Sequence, residues 1–268
     1  MGYFCDRYTA LFNLHIMTIS LFQRDIKWGC PEENILLNDK LLRDAPKSDV
    51  YVLPEMWSTG FVTKPSEAGI GDAKTELQWM KQKARELDAA IAGSVAIKVE
   101  DGSFRNRFYF VTPDDVTYYD KRHLFSYGGE HKRYTAGDER VVVEWRGVRF
   151  LLMVCYDLRF PIFSRNMPRE EGGYDCALYV ASWPTPRVAA WRTLLLARAI
   201  ENQCYVCGVN RVGEDPACQY CGGTAAIDPY GRVIEACPDG QASSITFELD
   251  MPALEAFRKK FPVLKDRD

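Results

Sequence analysis

Three residues of this chain stand where an apolar run gives out, and their side chains together could make a working nucleophile. Glu55 follows Val50-Tyr51-Val52-Leu53-Pro54, Lys121 follows Val116-Thr117-Tyr118-Tyr119-Asp120, and Cys155 follows Phe150-Leu151-Leu152-Met153-Val154. Ligands of open α/β sheets gather at the carboxyl ends of strands, so the three could share one crevice. A thiol becomes a nucleophile when a neighbour takes its proton and a cation favours the thiolate. A carboxylate and an ammonium supply those two effects. A cysteine alone at a strand end is ordinary packing. The combination is what points to chemistry.

The elements that must position these residues alternate along the chain. Strand patterns are expected at 17–23, 50–53, 90–99, 107–112, 116–119, 141–145, 148–154, 176–180, 204–209, 224–227, 233–236 and 244–249. Pro31 opens an amphipathic helix with Ile35, Leu36, Leu41 and Leu42 on its apolar stripe. Further helices are expected at 73–87, 161–167, 186–202 and 252–260. Asp101-Gly102 and Arg146-Gly147 read as turns between neighbouring strands. The order implies a layered α/β fold with mixed sheets. Residues 17–268 read as one domain, without a linker or a fixed-period repeat, and residues 1–16 as an extension with no assigned function.

Composition removes several classes of function. Of 268 residues, 47% are hydrophobic and 26% charged, which excludes a disordered or collagen-like chain. With 34 Lys and Arg against 37 Asp and Glu, no basic surface is expected to bind nucleic acid. No apolar run reaches the ~18–20 residues that span a bilayer, so no membrane partner is expected. Nine cysteines form an odd set spread through apolar runs, which fits a reducing cytoplasm better than a disulfide scaffold.

The combination of segments is more specific than its parts. Leu53-Pro54-Glu55, Asp120-Lys121-Arg122-His123-Leu124-Phe125 and Val154-Cys155-Tyr156-Asp157-Leu158-Arg159-Phe160-Pro161 resemble the nitrilase (carbon–nitrogen hydrolase) superfamily in order and separation. Gly129-Glu130-His131, Arg198-Ala199-Ile200-Glu201-Asn202-Gln203, Asn210-Arg211, Asp228-Pro229-Tyr230-Gly231 and Phe261-Pro262-Val263-Leu264 add to the likeness. The cysteine and lysine segments look most like the omega-amidase branch, which hydrolyses side-chain amides of 2-oxo acids. The resemblance implies a four-layer α-β-β-α sandwich of mixed sheets and a homodimer. It implies Glu55 as base, Lys121 as oxyanion donor and Cys155 as nucleophile of a small-amide hydrolase that needs no cofactor and no metal. Glu130 matches a second acidic residue beside that triad, there to hold Lys121 or orient the substrate amide. Its other reading is a solvated loop carboxylate. The backbone N–H of Tyr156 is the second oxyanion donor.

Other readings use neighbouring residues. Arg159 either pairs with Asp157, the preferred reading, or meets a substrate carboxylate. Arg187 is a less specific candidate for that contact, and Trp183 either lines the pocket mouth or packs in the core. Cys204-x2-Cys207 and Cys218-x2-Cys221 have zinc-site spacing, although the first pair lies in an apolar strand where residues three apart diverge. His123 and His131 could form a dyad with Cys155. A binding protein with an idle triad is the reading outside the enzyme class.

Overall fold

The computed structural model describes residues 16–267; residues 1–15 of the expected extension lie outside them. The first half of the chain runs β1 (Met17–Gln23), α1 (Pro31–Asp44), β2 (Val50–Val52), α2 (Lys74–Leu87), β3 (Ala90–Lys98), β4 (Phe104–Val111) and β5 (Val116–Asp120). Then follow β6 (Val142–Trp145), β7 (Val148–Val154), β8 (Cys176–Ala181), α3 (Val188–Asn202) and β9 (Tyr205–Asn210). The chain closes with β10 (Val212–Glu214), β11 (Gln219–Cys221), β12 (Ala225–Ile227), β13 (Val233–Ala236), β14 (Ser243–Leu249) and α4 (Met251–Lys260).

Two six-stranded sheets result, ordered β14-β1-β2-β3-β4-β5 and β13-β12-β9-β8-β7-β6. Each has three parallel strands at its heart, β1, β2 and β3 in one and β7, β8 and β9 in the other. Antiparallel strands flank both sets. The period-2 alternation of strands decides which side chain goes where. In β2, Val50 and Val52 enter the space between the sheets while Tyr51 faces outward, and in β4 Phe108 and Phe110 enter it while Tyr109 and Val111 do not. Phe110 meets Phe150 of the opposite sheet with ring centroids 5.5 Å apart. The outward set packs with Trp79, Met80 and Ala84 of α2, and Trp191, Leu195 and Ala199 of α3 join the core on the other side. The layers are helix, sheet, sheet, helix, and strands covered on both faces read as the near-continuous apolar runs seen in the sequence. No helix among the described residues is long and apolar enough to cross a membrane.

Two local expectations fail for physical reasons. Residues 161–167 are not helical, and the N–H groups of Asn166 and Met167, which a helix would bond to carbonyls four residues back, go instead to the side-chain oxygens of Asn202 and Asn166. The Asn166 amide donates to the carbonyls of Tyr174 (3.0 Å) and Asn202 (2.9 Å) and accepts from the N–H of Met167 and of Tyr174. Leu36 does not join the stripe of α1 and is 68% exposed. That helix instead buries Asn34 and Asn38, whose amide oxygens receive the buried guanidinium of Arg24. The helix expected at 186–202 starts at Val188, after a 3₁₀ turn over Thr185–Arg187.

Candidate active site

Each of the three chemical residues is delivered by a strand end and then fixed by backbone bonds. Beyond β2, the Leu53 N–H donates to the Ala92 carbonyl (2.7 Å), and the N–H groups of Met56 and Trp57 donate to the Ser94 hydroxyl (2.9 Å) and carbonyl (3.1 Å). This lashes Glu55 to β3 with its side chain fully buried. The close approach requires Gly93, where a Cβ would lie 2.9 Å from Trp57 Cδ1 and 3.0 Å from Leu53 Cβ. Lys121, just past β5, donates its N–H to the Asn106 carbonyl of β4 at 2.9 Å.

Cys155 leaves β7 with φ +47°, a left-handed conformation that costs a non-glycine residue about 1–3 kcal/mol and persists only where its surroundings hold it. Asp157 does the holding. Its Oδ2 accepts from the Val154 N–H (2.9 Å) and the Tyr119 hydroxyl (2.7 Å), and its Oδ1 accepts from the His123 N–H (2.9 Å). Oδ1 also lies 2.8 Å from His123 Nδ1. The knot ties the cysteine turn (Cys155–Arg159) to the segment that carries Lys121. It also corrects two expectations. Arg159 does not pair with Asp157, whose oxygens are already taken. His123 is engaged by Asp157 and stacks on Phe160 at 3.9 Å, so it does not serve Cys155, and His131 is exposed.

At the centre lies one buried ionic group. Lys121 Nζ donates to Glu55 Oε1 (2.9 Å) and to Glu130 Oε2 (2.9 Å) and Oε1 (3.2 Å). Glu130 is fully buried in a 3₁₀ turn and accepts the Phe125 N–H at 2.6 Å, which rules out a solvated loop carboxylate. Burial opposes the charge of Lys121, yet the carboxylates of Glu130 and Glu55 outweigh it and hold the ammonium well above its ordinary range. Burial raises the Glu130 carboxyl, with Lys121 pulling the other way. Burial, then the charge of Glu55, push the Cys155 thiol up, and Lys121 only partly offsets them. The balance favours the protonated sulfur, with the Glu55 carboxylate as its charged neighbour.

Cys155 lies in the wall of a narrow cleft that opens to solvent. Phe61, Phe125, Tyr156, Trp183 and Tyr220 provide apolar walls, with Arg159 and Arg187 beside them. The Arg159 guanidinium lies 4.8 Å over the Trp183 ring and that of Arg187 5.4 Å over Phe125. Among the described residues neither guanidinium has a carboxylate partner. Trp183 is fixed by its N–H to Asn210 Oδ1 (2.7 Å) and its indole N–H to the Arg187 carbonyl (2.7 Å).

The zinc spacing does not bring its cysteines together. Cys204 and Cys207 are buried around β9, where Cys207 Sγ faces Cys176 Sγ at 3.6 Å, while Cys218 and Cys221 belong to the β10–β11 region and Cys218 lines the cleft. Among the described residues, no three His, Cys, Asp or Glu side chains are placed to share a metal ion. Reading the sequence missed Asn106, Phe61, Phe125, Ser182, Cys218 and Tyr220 as site residues, and the knot at Asp157.

A protonated thiol beside a carboxylate and an ammonium, sunk between two sheets at their strand ends, is equipment for acyl transfer from a small amide. Residues 18–259 match the carbon-nitrogen hydrolase family, and the chain belongs to it. Among relatives, it is 46% identical over 254 residues to the omega-amidase YafV of Escherichia coli (strain K12), covering 94% of this chain and 97% of that one. It is 35% identical to the 2-oxoglutaramate amidase of Bacillus subtilis (strain 168), with 93% and 96% covered. The crystal structure of XC1258 from Xanthomonas campestris, a CN-hydrolase superfamily protein with an arsenic adduct in its active site, superposes with a TM-score of 0.91 at 42% identity. That match covers 95% of this chain and 98% of the other.

Proposed function

We propose that this protein hydrolyses the omega-amide of a short 2-oxo dicarboxylic acid to the carboxylate and ammonia, through a thioester on Cys155. The observation that carries the reading is the shared contact of Lys121 with Glu55 and Glu130 beside a thiol that opens onto the cleft. Glu55 takes the Sγ proton as sulfur attacks the amide carbon, so no free thiolate need exist beforehand. One Lys121 N–H serves Glu55 and a second is shared between the two oxygens of Glu130, which leaves the third for the developing oxyanion together with the Tyr156 N–H. When the tetrahedral adduct collapses the C–N bond breaks, and Glu55 returns the proton to the departing nitrogen. Water then attacks the thioester, Glu55 takes a proton from it, and the expelled sulfur recovers that proton. Glu130 positions Lys121 throughout.

Arg159 and Arg187 support the second half of the reading, since a guanidinium without a protein carboxylate can take one from the substrate. A site built for that group leaves its own donors unpaired when the group is missing, which can discriminate by as much as ~10⁴-fold. Ammonia release from 2-oxoglutaramate and 2-oxosuccinamate, compared with neutral aliphatic amides and nitriles of similar length, tests this. The oxo-acid amides should be turned over far faster, mainly in kcat/KM. Equal rates with and without the carboxylate would remove the omega-amidase assignment and leave a general thiol amidase.

The reading includes a reducing, cytoplasmic location, supported by eight described cysteines that are all free thiols. It also includes a homodimer. Exposed Ile200 on α3, with Tyr230 and Phe261, offers an apolar face for the second subunit, and sedimentation in solution would measure it.

A further inference from the structure

Asn106 sits on β4 at a position that should be apolar. It shares the inward face of that strand with Phe108 and Phe110, and it is 1% exposed. Its side-chain amide donates to Glu55 Oε1 at 2.8 Å and to Glu130 Oε1 at 3.2 Å, one N–H for each carboxylate. The opposite orientation of the amide would set its oxygen against both carboxylates, so the donors must face them. The cost falls on Oδ1, which is buried with no hydrogen-bond partner. A buried acceptor left unpaired weighs against folding. Leucine would fill the same space without that penalty. A fold that keeps an orphaned oxygen there is retaining the two N–H groups for something other than stability.

We propose that Asn106 is a positioning residue for the hydrolysis, a clamp that fixes Glu55 and Glu130 relative to each other around Lys121 and so aims Glu55 at the Cys155 thiol. The inference rests on the role given to Glu55 above. The geometry makes the division of labour plain. Glu55 Oε1 is held by Asn106 and Lys121, Oε2 is held on one side by the Ser182 N–H at 2.8 Å, and the rest of Oε2 is left for the thiol proton. Lys121 alone could not fix this plane, because a single ammonium on a flexible stem serves both carboxylates at once. Asn106 also binds Lys121 from behind, accepting its backbone N–H at 2.9 Å. The charged or titratable groups that face the pair are Lys121 from the end of β5, Cys155 from the end of β7, and Tyr134 from the loop after Glu130.

The test uses Asn106→Leu, which keeps the volume and removes both donors, and Asn106→Asp, which keeps the shape and sets oxygen where the N–H groups were. Both donors favour ionised carboxylates, so their loss favours the protonated forms. The acidic limb of kcat/KM should move to higher pH in Asn106→Leu and further in Asn106→Asp. At neutral pH kcat should fall about 10- to 100-fold, with KM held within about threefold, the effect of losing a hydrogen bond to a charged group. Alkylation of Cys155 by iodoacetamide, followed by mass spectrometry across the same pH range, reports the same limb without any amide substrate. If the wild type hydrolyses none of the amides yet the alkylation limb shifts in the variants, the function assigned above is wrong and the clamp stands. An unshifted limb in a folded variant, or kcat within twofold of wild type, overturns the clamp. Should Asn106→Leu fail to fold, Asn106→Asp decides by the same readings.

Discussion

Replacing Glu55 with glutamine is the most informative single change, because it exchanges one oxygen for an NH₂ group and removes one function. The carboxylate receives Asn106 Nδ2 at 2.8 Å and Lys121 Nζ at 2.9 Å on Oε1, and the Ser182 N–H at 2.8 Å on Oε2. A carboxamide has one oxygen. Placed at Oε1 it satisfies the ammonium and the Asn106 amide, and its own NH₂ group then confronts the Ser182 N–H. The reverse orientation confronts two donors, one of them charged, and is worse. The preferred arrangement thus leaves one buried donor unpaired, worth about 1–3 kcal/mol, so Glu55→Gln should fold with a somewhat lower Tm. It can accept neither the thiol proton in acylation nor the water proton in deacylation. General-base removal typically costs about 10²–10⁴-fold, and here it acts on both acylation and deacylation. Burial still pushes the Cys155 thiol up in this variant, although the charge of Glu55 no longer adds to it. Ammonia release from 2-oxoglutaramate should fall at least about 10³-fold. A folded Glu55→Gln protein that kept more than about a tenth of the wild-type rate would show that Glu55 is not the base.

Three further outcomes follow from the geometry. Lys121→Met leaves Glu55 and Glu130 facing each other, fully buried and without their cation, so activity should vanish and stability drop by about 3–5 kcal/mol in denaturant titration; a near-native midpoint would contradict the buried ion group. Gly93→Ala places a methyl 2.9 Å from Trp57 Cδ1, which should displace the Glu55 segment at a cost of about 1–3 kcal/mol and reduce kcat more than it raises KM, whereas unchanged kinetics would show that the segment yields freely. Arg159→Leu and Arg187→Leu should each lower kcat/KM for 2-oxoglutaramate about 10- to 100-fold and leave a carboxylate-free amide nearly unaffected, and equal losses on both substrates would place the guanidinium groups outside recognition.

Much of this arrangement is legible along the chain because the parallel strands are covered on both faces. Val50–Val52 and Val148–Val154 read as apolar runs, so the polar residue ending each run stands out. The alternation Phe104, Asn106, Phe108, Phe110 on β4 carried a comparable signal, a lone amide in an apolar stripe. It escaped reading because asparagine suggests no chemistry until the carboxylates beside it are known. Arg159 was misjudged for a related reason. Asp157 lies two residues away in sequence, yet its oxygens are spent on Val154, Tyr119 and His123, and only tertiary structure brings the last two to it. The stretch at 161–167 has helical composition, but Asn166 binds across to Tyr174 and Asn202, which no local pattern reveals. The hairpin of β10 and β11 is too short for a periodic signal, although it brings Tyr220 to the cleft.

In the proposed reaction the acyl group of the substrate passes through a thioester on Cys155. Rapid mixing of the protein with 2-oxoglutaramate, acid quenching within one turnover and mass analysis of the peptide spanning Cys155 tests it most directly. This peptide should gain the mass of the substrate less ammonia, hydroxylamine should remove the added group, and Cys155→Ala should never acquire it. Hydrolysis that proceeds at the wild-type rate in Cys155→Ala, or an acyl group found on any other residue, would contradict it.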